Sequence, residues 1–160
     1  MNHEQSHRII KHGVAAMLVA LAGGFALTFT MLQGVSLSPL PIFLDVDIPG
    51  TERGWRIFHI GMLMNGMMAI ALAFALRSVT VTATGAALVS WGVIIAVWGN
   101  GMFYLFGMFA SNHGLSLHDS PLGEPSFAGA LAFIPAIVGA TTLTVALIVL
   151  LRGKLASPSR

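Results

Sequence analysis

Cysteine is absent from the 160 residues, which removes disulfides, thiolate metal ligands and a cysteine nucleophile by inventory. Charge is scarce as well: Asp, Glu, Lys and Arg together make up 9% of the chain, against roughly 25% in soluble domains. The eight Lys and Arg residues lie scattered, with no basic run or stripe, so a pI near 9.7 does not signal nucleic acid. No charged residue falls inside any long apolar run, which argues against ion-coupled transport. What is abundant is hydrocarbon. A chain that is 56% hydrophobic, with mean hydropathy +0.83, has lipid as the solvent for most of its surface.

Four apolar runs occupy about 13–32, 57–76, 82–109 and 127–151. A spanning helix needs about 20 residues at about 1.5 Å each to cross roughly 30 Å of hydrocarbon. The reading is an all-α chain, residues 1–160 forming one bundle of four transmembrane helices. The first run is too long for a signal-peptide core and lacks a clear small-residue cleavage site, so it reads as a retained helix. Lys and Arg near the helix ends divide as Arg8, Lys11, Arg77, Arg152, Lys154 and Arg160 on one side against Arg53 and Arg56 on the other. By the positive-inside rule, both termini are expected in the cytoplasm. The expected outer loops, 36–56 and 110–126, are long and rich in Pro and Gly, whereas the inner turn, 77–81, is short. The first outer loop reads as an irregular segment on the membrane surface. Function is therefore expected at the outer side. Recurrent small residues such as Gly23, Gly61, Gly66, Gly99 and Gly139 suit close helix packing or subunit contacts, and the tail after Ala156 reads as a short disordered end.

Polar side chains at membrane depth are costly and mark the places to look for chemistry. His59 and Asn65 lie on the second run, Asn100 and Tyr104 on the third. Counting from the expected outer ends puts them about 3, 12, 14 and 8 Å deep, all in the same half of the bilayer. Asn100 and Tyr104, four apart, share a helix face. His59 and Asn65, six apart, point about 120° away from each other. A site at a subunit boundary, with His59 from one protomer and Asn65 from its neighbour, follows as a geometric hypothesis. On spacing alone, His59 either ligates a metal or bonds a backbone carbonyl, and the asparagines either serve a site or join helices. The methionines Met62, Met64, Met67, Met68, Met102 and Met108 read as soft packing. Trp55 reads as an interfacial anchor, Trp91 and Trp98 as sharing a packing face, His12 as interfacial, and His113 and His118 as solvated loop residues.

The ordered set Gly54-Trp55, His59, Asn65-Gly66-Met67-Met68, Trp98, Asn100, Phe103-Tyr104-Leu105-Phe106, Asn112 and Gly114-Leu115 resembles the styrene oxide isomerase family of bacterial styrene degradation. The similarity covers residues 54–115, with a weaker echo at 131–136. It implies a homotrimer in the bacterial inner membrane, with ferric haem b at the protomer interfaces. The implied reaction is isomerisation of an aryl epoxide to its aldehyde, styrene oxide giving phenylacetaldehyde. In this resemblance His59 matches the axial ligand of the haem iron. Asn65 and Tyr104 match the residues that hold the substrate, and Asn100 matches a polar neighbour. Iron with one neutral imidazole keeps an open face for an epoxide oxygen, as a Lewis acid. Arg53 and Arg56, close to His59, are candidates to pair with haem propionates. The chain departs from the family's pattern at His113, where an Arg is expected, and in a shorter loop at 118–124, which leaves the substrate open to a related epoxide, aliphatic or a larger aryl one. Two other readings stand beside it. One is a redox or sensing haem protein with His12 or a loop His as second ligand; the other is a bundle in which the polar residues only join helices.

Overall fold

The computed structural model describes residues 2–155. Four helices dominate it: α1 Asn2–Leu32, α2 Glu52–Ser78, α3 Ala83–Gly107 and α4 Phe127–Arg152. All four are long and apolar enough to cross a membrane. Two short antiparallel ladders join the ends. Val35–Ser36 (β1) pairs with Phe43–Leu44 (β2), and Val79–Thr80 (β3) pairs with Lys154–Leu155 (β4). The tail after Ala156 lies outside the described residues.

α1 starts well before the apolar run at 13, because its first turns are one-sided. His3, Glu4, His7 and Lys11 are exposed while Ser6, Ile9 and Gly13 face inward, so helix continues beyond what hydropathy marks. Asn2 secures this extension by donating from Nδ2 to the carbonyls of Leu76 (3.1 Å) and Val79 (2.9 Å). Together with the β3–β4 ladder, this brings both ends of the described chain to the α2–α3 turn, here called the terminal end. The opposite, loop end carries the β1–β2 hairpin, the start of α2 and the segment 108–126.

Helix starts are set by hydroxyl caps. Thr51, Thr82 and Ser126 accept from the amides of Gly54, Gly85 and Gly129, each at 3.0 Å, and a cap of this kind contributes about 1 kcal/mol. Thr51 places the start of α2 at Glu52, five residues before the apolar run. The interior is built from small residues, with Ala16, Ala20, Ala69, Ala73, Ala86, Ala96, Ala132 and Ala146 buried, while Leu18, Leu21, Phe25, Leu147 and Leu151 point outward. In lipid, large apolar side chains gain nothing by turning inward, so close backbone approach drives packing. A Cβ on Gly13 would sit 2.9 Å from the Gly66 carbonyl oxygen, and one on Gly92 would sit 2.5 Å from that of Thr142. These contacts join α1 to α2 and α3 to α4, leaving α3 the most enclosed helix.

Trp91 and Trp98 share a face, as their spacing predicts, and that face meets α1. The Arg8 guanidinium lies 5.4 Å from the centroid of Trp91, and Trp98 Nε1 donates to His12 Nδ1 at 2.9 Å. The interfacial His12 thus also has a partner within the bundle. It sits ten residues into α1, about 15 Å from Asn2, half-buried, where indole and imidazole satisfy each other.

Candidate active site between α2 and α3

Asn65, Asn100 and Tyr104 come together. Asn65 is buried, and its Nδ2 donates to the Gly61 carbonyl at 2.8 Å and to the Tyr104 hydroxyl at 3.2 Å. Its Oδ1 accepts from Asn100 Nδ2 at 2.8 Å. The levels matched by residue counting across the two helices are thus joined by direct bonds. The chain of donors has one direction: Asn100 orients the Asn65 amide, and Asn65 gives a hydrogen to the Tyr104 oxygen. With that lone pair occupied, the phenolic proton is free to be donated elsewhere. Gly61 makes the placement possible, because the Tyr104 ring lies directly on it and a Cβ would come 2.7 Å from Cζ.

Tyr104 lines a cleft of about 550 Å³ at the loop end. Ile57, Phe103 and Met108 supply apolar wall, while Thr51, Arg53 and His113 supply polar atoms. Asn65 and Asn100 are not among the lining residues and stand behind Tyr104. His113, read from sequence as a solvated loop residue, is exposed but lines this cleft, with its backbone in the left-handed region at φ 56°. The segment bearing it is pinned by Asn112, fully buried, whose Oδ1 accepts from Gly114 N at 3.1 Å and whose Nδ2 donates to the Ser116 carbonyl at 2.8 Å. An Asn followed two residues later by Gly is a turn signal legible in sequence. That it would present His113 to a cleft is not.

His59 points elsewhere. Its Nδ1 lies 2.7 Å from the Ala20 carbonyl of α1. A carbonyl oxygen only accepts, so Nδ1 carries the proton and Nε2 holds the free lone pair. Gly24 leaves the ring its space, since a Cβ there would be 2.9 Å from Nδ1. Within one chain His59 and Asn65 therefore serve different neighbours, α1 and α3, and do not share a cavity. The described residues contain no cluster of three His, Asp or Glu able to hold an ion. A metal bound through one imidazole must bring its remaining ligands with it, as an iron porphyrin does. An imidazole anchored at Nδ1 by a carbonyl with Nε2 free is the donor arrangement such a group requires.

The methionines divide. Met62 is fully buried beside Gly101, Met64 and Met67 face outward, and Met108 lines the cleft. Only packing and lining are visible for them. Of the two arginines at the start of α2, Arg56 is paired with Glu52, whereas Arg53 has no carboxylate within salt-bridge distance among the described residues.

Fold and site together define a multi-pass membrane protein with a buried amide relay that orients one phenol at an apolar cleft, and with one ligand-competent imidazole on the neighbouring face. The chain belongs to the styrene oxide isomerase family, whose profile matches residues 5–155. It is 32% identical over 136 residues, 85% of this chain and 80% of the relative, to a styrene-oxide isomerase of Pseudomonas fluorescens.

Proposed function

We propose that this protein isomerises styrene oxide, or a closely related aryl epoxide, to the corresponding aldehyde without net electron transfer, using ferric haem b on His59. We place it as a homotrimer in a bacterial inner membrane, with haem at the subunit interfaces and both termini cytoplasmic. The observation that carries the reading is the directed relay from Asn100 through Asn65 to Tyr104, in a chain of this family. The basic residues Arg8, Lys11, Arg77, Arg152 and Lys154, all on the half of the chain nearest the terminal end, support the orientation.

A haem bound there supplies a Lewis-acidic iron for the epoxide oxygen. The protein's own part follows from the geometry. The C–O bond breaks at the benzylic carbon, a hydride moves to that carbon from its neighbour, and the oxygen stays on the neighbour as the aldehyde carbonyl. Negative charge builds on that oxygen, and the free proton of Tyr104 is the donor placed to meet it, held in advance by Asn65. The apolar side chains of Ile57, Phe103 and Met108 keep water from the cationic carbon, which water would convert to a diol. A subunit boundary would let His59 of one chain face the Tyr104 cleft of the next, consistent with their separation within one chain.

A redox haem held by two imidazoles is less favoured. The Ala20 carbonyl that holds His59 lies eight residues, about 12 Å, along α1 from His12, and His12 is engaged by Trp98. The deciding experiment is an absorption spectrum of detergent-purified protein, followed by styrene oxide and aldehyde assay, for wild type and His59→Ala. A Soret band and aldehyde that both vanish in the variant support the proposal. Haem without aldehyde from any aryl epoxide returns the reading to redox chemistry, and a wild type without haem defeats it.

A further inference from the structure

We infer that the rim of the α2–α3 cleft, formed by Arg53 and His113, is a carboxylate-binding site whose ligand is a propionate arm of the haem; this rests on the haem reading above. Two arginines stand near His59 in sequence, and the structure separates them. Arg56 is bound to Glu52 one turn earlier on α2. Arg53 projects into the cleft with its charge uncompensated by any described acid. An unpaired guanidinium offers a planar fork of donors that fits a carboxylate with two parallel hydrogen bonds.

The second polar group at the rim is held there by design of the loop. His113 adopts φ 56° and is followed by Gly114 at φ 69°, two successive left-handed residues in which a β-carbon is disfavoured at the first. The buried Asn112 staple and the amide of His113, which donates to the Ala110 carbonyl at 3.0 Å, fix this conformation. Gly107 packs against the His113 carbonyl, 3.1 Å from where its Cβ would be. The imidazole is thus delivered to the cleft by a turn tied down through Asn112 and the His113 amide.

The wall below the rim is apolar, from Ile57, Phe103 and Met108. A cationic rim over an apolar wall fits a ligand that is hydrophobic in body and carboxylate at its edge. A porphyrin with propionate arms has that chemistry, whereas styrene oxide and its aldehyde have no anionic group to use it. A lipid phosphate is the competing occupant, and esterifying the propionates distinguishes the two.

The test reconstitutes chain produced under haem limitation with haem and, separately, with haem dimethyl ester, following the Soret band in detergent. For wild type the half-saturating concentration is expected to be about tenfold lower for haem than for the ester. In Arg53→Gln this gap is expected to close to within about twofold with ester binding unchanged, and Arg53→Lys should restore part of it. His113→Gln should narrow the gap less than Arg53→Gln, and the double variant should abolish it. Equal binding of haem and ester by wild type, or an Arg53→Gln variant that loses both ligands equally, overturns the site while leaving the haem reading intact. A wild type that takes up neither ligand overturns both.

Discussion

The Tyr104 hydroxyl accepts from Asn65 and so has its proton left to give, and the proposed chemistry depends on that single polarity. Replacing Tyr104 by Phe keeps the ring on Gly61 and removes the hydroxyl, the free donor and the acceptor of the Asn65 bond alike. We expect kcat to fall about 10²- to 10³-fold with an unchanged Soret band, as for loss of one oxyanion donor. Asn65→Leu keeps the hydroxyl but removes what holds it, and leaves the Asn100 amide without its acceptor. Mispositioning costs up to about 10²-fold, so a smaller loss than in Tyr104→Phe is expected in the same aldehyde assay. If Asn65→Leu instead retained full kcat, the relay would have no role in catalysis. Trp98→Phe breaks the bond to His12 at about 0.6 kcal/mol, the usual scale for such bonds between membrane helices. Thermal unfolding should register that change while the Soret band does not.

At the scale of the element, α1 is the helix that orients the His59 imidazole for the proposed ligation. Its Ala20 carbonyl fixes the Nδ1 proton and Gly24 makes room for the ring. Gly24→Ala puts a methyl group 2.9 Å from Nδ1, and loss of an anchoring partner typically weakens metal affinity about 10- to 100-fold. Haem titration of this variant should show a rise of that order, and unaltered affinity would mean that the α1 carbonyl does not tune His59. The corresponding element on the other face is the Gly61 turn of α2. Gly61→Ala should displace the Tyr104 ring, lower kcat and cost about 1–3 kcal/mol of stability through overpacking, measured by thermal unfolding in detergent. Both variants add one carbon and no charge, so each isolates a close contact between two helices.

For the whole molecule, the separation of His59 from the Tyr104 cleft makes association the natural way to complete a site. Native mass measurement in detergent is expected to give three copies of the 16.8 kDa chain, with the haem stoichiometry falling when the oligomer is dissociated. A monomer retaining haem and full activity would defeat the subunit-boundary reading. The absence of cysteine allows sidedness to be tested with single introduced thiols. A thiol in the 36–50 loop should react with an impermeant reagent added to intact cells, and one near Arg152 should not.

The sequence by itself determined the four spans and their order, because the cost of exposing a peptide bond to hydrocarbon forces long apolar helices wherever the chain crosses. It also set Asn65, Asn100 and Tyr104 at matching levels on α2 and α3, since rise per residue converts position into distance along a helix. The helix starts were less legible at Asn2 and Glu52, where an amphipathic first turn and the Thr51 cap extend helix past the apolar run. Only the tertiary structure decided which partner each polar residue takes. Helix rotation gave His59 to Ala20, Asn65 to Tyr104 and His12 to Trp98, and the turn after α3 set His113 against the cleft. Those outcomes depend on how closely glycines let helices approach and on a left-handed turn at 113–114. Such contacts join residues far apart in the chain, and residue spacing along one helix carries no information about them.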